Sequence, residues 1–277
     1  MDGFPRTEVG GQSISRMIVG TNWFLGYSHT SAAKDRFIKS FMSRERIADI
    51  LTVFLERGVD AIMGMPVPML TQAIEDAQDR VGRPMHTILT PTVSVLPGGP
   101  PEQEPERVYD QAKALGATFC FPHSSCVDRM VDRLHEEIRD MDRHSALIRE
   151  RGMIPGLSTH MPVTVTIADK TGADVETYIQ LYNAAGFLMQ VEADWVMRII
   201  QNAKKPVMTI KPLAAGRLLP VVGLAFVWST LRDQDMVTIG TSTPDEAREV
   251  IDISMDLLSR RVPDYELQTT RSKGELA

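Results

Sequence analysis

The chain has 277 residues, enough for one large domain, with 43% hydrophobic and 24% charged residues and a net charge of −6. Its basic residues are scattered, which excludes a nucleic-acid footprint, and no apolar stretch is long enough to cross a bilayer. Cys120 and Cys126 form no disulfide framework and the opening MDGFPRTEV has no apolar signal core, so a soluble cytoplasmic protein with reduced thiols is expected.

Gly10-Gly11-Gln12 lies between two short extended pieces and reads as a hairpin. Ser15-Arg16 then precede a first strand, Met17 to Thr21. An insert from Asn22 to Met42 leads to a helix from about Ser43 to Arg57, with Ser43 as N-cap. The second strand is Asp60 to Met65, and its helix runs from about Pro68 to Val81, where Gly82 stops it. The third strand is His86 to Thr90. PGGPPEQEP, from Pro97 to Pro105, reads as a loop without regular structure, and a helix follows to Leu115.

The fourth strand is Thr118 to Pro122, followed by one long charged helix over roughly Val127 to Arg151. The fifth is Ile154 to Ser158, with a helix near Val163 to Lys170 that ends at Gly172. The sixth, Thr177 to Leu181, precedes a helix near Ala193 to Ala203. Strands seven and eight are Val207 to Ile210 and Met236 to Ile239. The last helix spans Pro244 to Arg260, with Thr243 as N-cap and Pro244 at its first position, and a polar tail follows Pro263. Strands alternating with helices in this way predict a single (β/α)8 TIM barrel over residues 1–277, opened by a β-hairpin.

Barrel enzymes carry their chemistry on the loops after the strands. Those loops hold Tyr27 and His29, then His123 and Cys126, then Ser158, Thr159 and His160, then Gln180, Lys211, and Gly240-Thr241-Ser242. His29, His123 and His160, with Cys126 in reach, suggest a divalent metal site for zinc, manganese or iron, since neutral imidazole and thiolate are its usual ligands. Lys211, between Ile210 and Leu213, suggests a desolvated amine; the bland alternative is a lysine paired with a carboxylate or a phosphate. Gly216-Arg217 and Gly240-Thr241-Ser242 offer a fork donor and backbone amides to an anion, although Asp245 and Glu246 follow at once. Asn22, Trp23, Tyr27 and Trp195 suit a sugar-like molecule. His135 and His144, on the long charged helix, are expected at the surface.

The run from Val207 to Asp252, with its Pro-Leu-Ala-Ala-Gly loop after strand seven and Gly-Thr-Ser-Thr after strand eight, resembles the aldo-keto reductase superfamily, as does the hairpin followed by Ser15-Arg16. That resemblance implies a Tyr proton donor, a Lys, an Asp and a His. At the matching positions this chain has Pro68, Pro91, Met63 and His123, so only the histidine is kept. It further implies Ser158, Thr159 and Gln180 as carboxamide contacts and Ile210 where an aromatic residue usually stacks on nicotinamide.

The sequence therefore leads to an enzyme for a polar carbonyl or sugar-like small molecule, non-redox and metal-assisted: an isomerase, lyase or hydrolase. In it, His29, His123 and His160 act as ligands or acid/base groups, Tyr27 and Lys211 contact substrate, and Arg217 holds an anionic end. The alternatives are a divergent NADP(H)-dependent oxidoreductase and a non-catalytic nucleotide-binding regulatory barrel. A small-molecule partner is expected, with no nucleic acid and no membrane, and assembly into a homo-oligomer is left open.

Overall fold

Gly10 and Gly11, at φ of 56° and 78°, close the tight turn between β1 (Arg6–Val9) and β2 (Gln12–Ser15), in which Val9 pairs with Gln12. The computed structural model describes residues 3–96, 99–265 and 273. The barrel starts at β3 (Met17–Gly20). The insert, read from the sequence without internal structure, carries two helices, α1 (Asn22–Leu25) and α2 (Ala32–Phe41). Next come α3 (Arg44–Glu56), capped by the Ser43 hydroxyl on the Arg46 N–H, then β4 (Ala61–Gly64), α4 (Pro68–Val81), β5 (His86–Leu89), α5 (Pro105–Ala114) and β6 (Phe119–Cys120).

The single long helix expected over 127–151 is not there. The chain instead forms α6 (Ser124–Met130), an antiparallel ribbon of β7 (Val131–Asp132) and β8 (Glu137–Ile138), and α7 (Met141–Glu150). The Asp132 carboxylate accepts the N–H groups of Leu134 and His135, a local bond that competes with helix. Glu136 and Asp140 then take positive φ, which breaks the run in two. His144 is accordingly buried, not at the surface, and hydrogen-bonds Tyr109 Oη through Nδ1 at 2.8 Å. The Pro97–Pro105 loop also departs from expectation, since Pro101–Gln103 make one 3₁₀ turn. Pro97 and Gly98, and most of the polar tail, lie outside the described residues.

The chain continues through β9 (Ile154–Pro155), β10 (Leu157–Ser158), α8 (Pro162–Thr171), β11 (Tyr178–Leu181), α9 (Ala193–Asn202), β12 (Val207–Ile210), α10 (Pro220–Thr230), β13 (Met236–Ile239) and α11 (Pro244–Leu258). The parallel sheet runs β10-β11-β12-β13-β3-β4-β5-β6-β9. Because β9 and β10 are the two halves of the fifth barrel strand, that order closes into a ring of eight. They part at Gly156, where an added Cβ would lie 2.3 Å from the Phe121 ring.

Alternate residues fill the inside, among them Ile18, Met63, Phe119, Phe121, Ile179, Met208 and Met236, with Val9 and Ile14 of the hairpin packed on the same cluster. The other strand faces and the helices make the outer core. Arg16 is buried beneath it. Its guanidinium donates to the carbonyls of Asp235 and Arg232 and lies 5.3 Å from the Trp228 ring. The interior is thus packed solid at the hairpin end, which leaves the other end, where the strands' C-termini emerge, free to hold a ligand. Among the described residues no helix is long and apolar enough to cross a membrane.

Candidate active site

A cavity of about 690 Å³ opens where the strands end. Its floor is apolar, from Met63, Ile179 and Ile210, and Trp23 and Leu213 extend it to the wall. Tyr27, His29, His123, Ser158, His160, Lys211, Gly240, Thr241 and Ser242 all line it. These candidates from the sequence share one cavity, whereas several others point elsewhere.

Cys126 is the clearest correction. It is buried, and its Sγ bridges the backbone N–H and C=O of Val93 at 3.4 Å each, which ties the loop after β5 to α6. The metal cage expected from His29, His123, His160 and Cys126 does not form: no three His, Cys, Asp or Glu side chains among the described residues are grouped to hold an ion. Arg217 is exposed at the rim, where its guanidinium donates to the carbonyls of Ala214 and His29 and lies 4.0 Å from the Phe187 ring. Gln180 is fully buried but does not face the cavity. Its neighbour Ile179 does, so the pleat turns Gln180 outward, where Nε2 donates to the Leu181 carbonyl. The same one-residue phase puts Thr90, not Pro91, at the cavity end of the third barrel strand. Trp195 is 55% exposed and lies off the cavity.

His123 is placed by the helix that follows it. It is the N-cap of α6, and its Nδ1 accepts the Ser125 N–H at 3.2 Å. A backbone amide only donates, so the neutral ring carries its proton on Nε2. Burial lowers the pKa of His123, and the nearby Lys211 charge lowers it further. His160 follows the same logic: burial first, then Lys211, His123 and His29, bring it down to about 4. Its backbone N–H donates to Asp128, whose other oxygen accepts the Thr159 hydroxyl. His29, at a φ of 55°, is held by Asn22 and is lowered by burial and by Lys211. At neutral pH the mouth thus holds three uncharged imidazoles around one lysine.

That lysine is the unusual member. Burial lowers Lys211 to about 8, and no hydrogen bond or ion pair reaches its ammonium among the described residues. Its own φ is 62°, and Ala214 and Ala215 beside it are at 50° and 57°. Three non-glycine residues in the left-handed region within five positions store backbone strain, each of order 1 kcal/mol or more, at the rim.

The strand-eight side is polar but incomplete. Thr238 and Thr241 line the cavity, are 6% and 3% exposed, and have hydroxyls with no hydrogen-bond partner among the described residues. Ser242 has its N–H taken by the Glu246 carboxylate at 2.6 Å, while Thr243 caps α11 on the Glu246 N–H. Glu246 and Glu249 of α11 also line this side, so it offers carboxylates as well as amides. Sequence reasoning passed over Thr238, Glu249 and Asp128. Strand alternation from Met236 and helical spacing from Glu246 would have found the first two; Asp128 lay within the helix that does not exist.

No family model matches the chain, and no curated protein matches it. Solved structures do. A protein of Pseudomonas aeruginosa assigned to the aldo-keto reductases superposes with a TM-score of 0.64 at 14% identity, over 91% of this chain and 96% of that one. An aldo/keto reductase from Brucella melitensis gives 0.59 at 12% identity, over 94% and 98%. An aldo-keto reductase from Klebsiella pneumoniae in complex with NADPH gives 0.57 at 17% identity, over 97% and 98%. At these identities the likeness establishes the fold: an aldo-keto-reductase-type (β/α)8 barrel with its N-terminal hairpin.

Proposed function

We propose that the chain is an oxidoreductase that interconverts a small carbonyl compound and its alcohol with a nicotinamide dinucleotide. The observation that carries this reading is His123, a neutral imidazole with its proton fixed on Nε2, in the mouth of a barrel shaped like the aldo-keto reductases. This favours the redox alternative over metal-assisted chemistry, for which no ligand set converges among the described residues.

The cavity's loose ends match such a cofactor. The hydroxyls of Thr238 and Thr241, partnerless among the described residues, call for a ligand rich in hydrogen-bonding groups. Ser158, Thr238 and Thr241 would hold the dinucleotide, which supplies or accepts the hydride when bound. Ile210 and Ile179 give the reacting end an apolar floor that excludes water. His123 Nε2–H donates to the substrate oxygen and orients the carbonyl. Tyr27, 50% exposed at the rim, presents a hydroxyl to the substrate's outer end.

The test is titration of the purified protein with NADPH and NADH, followed by loss of reduced cofactor over a panel of small aldehydes and ketones. We expect dissociation constants on the order of micromolar and measurable turnover. No binding of either dinucleotide at millimolar concentration would overturn the reading. Binding without turnover would leave a nucleotide-binding barrel.

A further inference from the structure

We propose that Lys211 is a nucleophile that condenses with a small aldehyde or ketone in the cavity to form an imine, a second activity distinct from hydride transfer. Three observations converge on it. Lys211 sits at the end of a barrel strand and lines the cavity beside apolar Ile210 and Leu213. Among the described residues no carboxylate neutralises it: the titratable groups that feel its charge are His29, His123 and His160, all of them uncharged bases at neutral pH. Its backbone is held at a positive φ, with the carbonyl accepting the Ala214 N–H at 2.9 Å. A structural lysine has no need of that arrangement. It would pair with an acid, as Lys170 does with Glu136.

The chemistry balances without an oxidant. The neutral amine's lone pair forms a C–N bond to the carbonyl carbon, and the proton that the added nitrogen must lose passes to the oxygen to give a carbinolamine. The C–O bond then breaks, the oxygen leaves as water after a second protonation, and the nitrogen lone pair closes the C=N bond. Net, amine, carbonyl and one proton give an iminium and water. His123 Nε2–H lies in the same mouth to assist the departing oxygen. The iminium acidifies the neighbouring C–H, and the unprotonated imidazole of His160 lines the same cavity as a base for enamine chemistry on the substrate carbon. With Lys211 near 8 against 10.5 for an ordinary lysine, the neutral fraction at pH 7 is about two orders of magnitude larger than for a surface amine.

A reduced nicotinamide beside this iminium would alkylate the lysine permanently, so imine formation is read on protein free of dinucleotide. The full-length protein is incubated at pH 7 with glycolaldehyde, dihydroxyacetone or pyruvate plus cyanoborohydride, which reduces the imine to a stable secondary amine. Intact mass and peptide mapping then locate the adduct. We expect one adduct per chain at Lys211, formed at least about tenfold faster than at any other lysine. It should be absent in Lys211→Met and Lys211→Arg variants whose melting transitions show them folded. In deuterated water, the wild type should also exchange the α-hydrogens of dihydroxyacetone and the variants should not. Adducts spread evenly over surface lysines, with the same pattern in wild type and Lys211→Met, would overturn the proposal whatever the protein does with NADPH.

Discussion

The His123 ring and the Ser125 backbone amide are joined by a 3.2 Å hydrogen bond that both caps α6 and fixes which imidazole nitrogen carries the proton. The two roles separate in His123→Asn. Asparagine is among the best N-cap residues, so the helix start is preserved, but the Nε2–H is gone. We expect a thermal transition close to wild type and a fall in carbonyl turnover of about 10²- to 10⁴-fold. Parallel measurement of melting temperature and kcat/KM checks it; full turnover in the variant would remove His123 from the chemistry.

Lys211→Met should make the protein more stable at pH 7. The wild type keeps an ammonium in a partly apolar cavity without a counter-charge, and methionine fills similar space without one. A gain of about 1–2 kcal/mol is expected, which for a chain of this size is a rise of about 2–8 °C in melting temperature. The pH dependence has a definite sign. The folded lysine titrates near 8 and the unfolded one near 10.5, so between those values the unfolded chain binds more protons and wild-type stability rises with pH. The variant has no such rise, and its advantage shrinks between pH 8 and 10. Urea unfolding at pH 7 and pH 9.5 measures both.

The sequence disclosed most where a signal is local. β12 and β13 stand at their predicted bounds because each is a short apolar run closed by a polar loop, and α4 and α11 begin where Pro68, Thr243 and Pro244 place them. It failed where a local break carries no glycine or proline to announce it. Nothing in Val127–Arg151 carries a glycine or proline before residue 152, yet Asp132 and the left-handed Glu136 and Asp140 split the helix. At the site, the mouth was legible because strand ends are, but the facing of individual residues was not. A shift of one position decides between Thr90 and Pro91 and between Ile179 and Gln180, and only the closed barrel fixes that phase.

Tyr109 and His144 test the corrected part of the fold. Both are buried, and their 2.8 Å hydrogen bond joins α5 to α7. Tyr109→Phe keeps the ring and strands the histidine Nδ1 without a partner, so a loss of about 1–3 kcal/mol is expected in urea unfolding at pH 7. Had His144 been a surface residue, the substitution would be nearly neutral.

Gly156→Ala tests the closure of the barrel. The added methyl would stand 2.3 Å from Phe121 Cε1, and Phe121 is fully buried against Phe119 inside the ring. Because the buried ring must shift to admit the methyl, overpacking of about 1–3 kcal/mol is expected. Phe121→Leu alone removes interior volume and destabilises for the opposite reason. In the double variant the methyl occupies room the smaller side chain vacates, so the two losses should fall short of additive by 0.5 kcal/mol or more, on the order seen for residues in contact. A double-mutant cycle in urea measures that coupling. Strict additivity would mean that the fifth strand is not held against Phe121, and the split between β9 and β10 would need another cause.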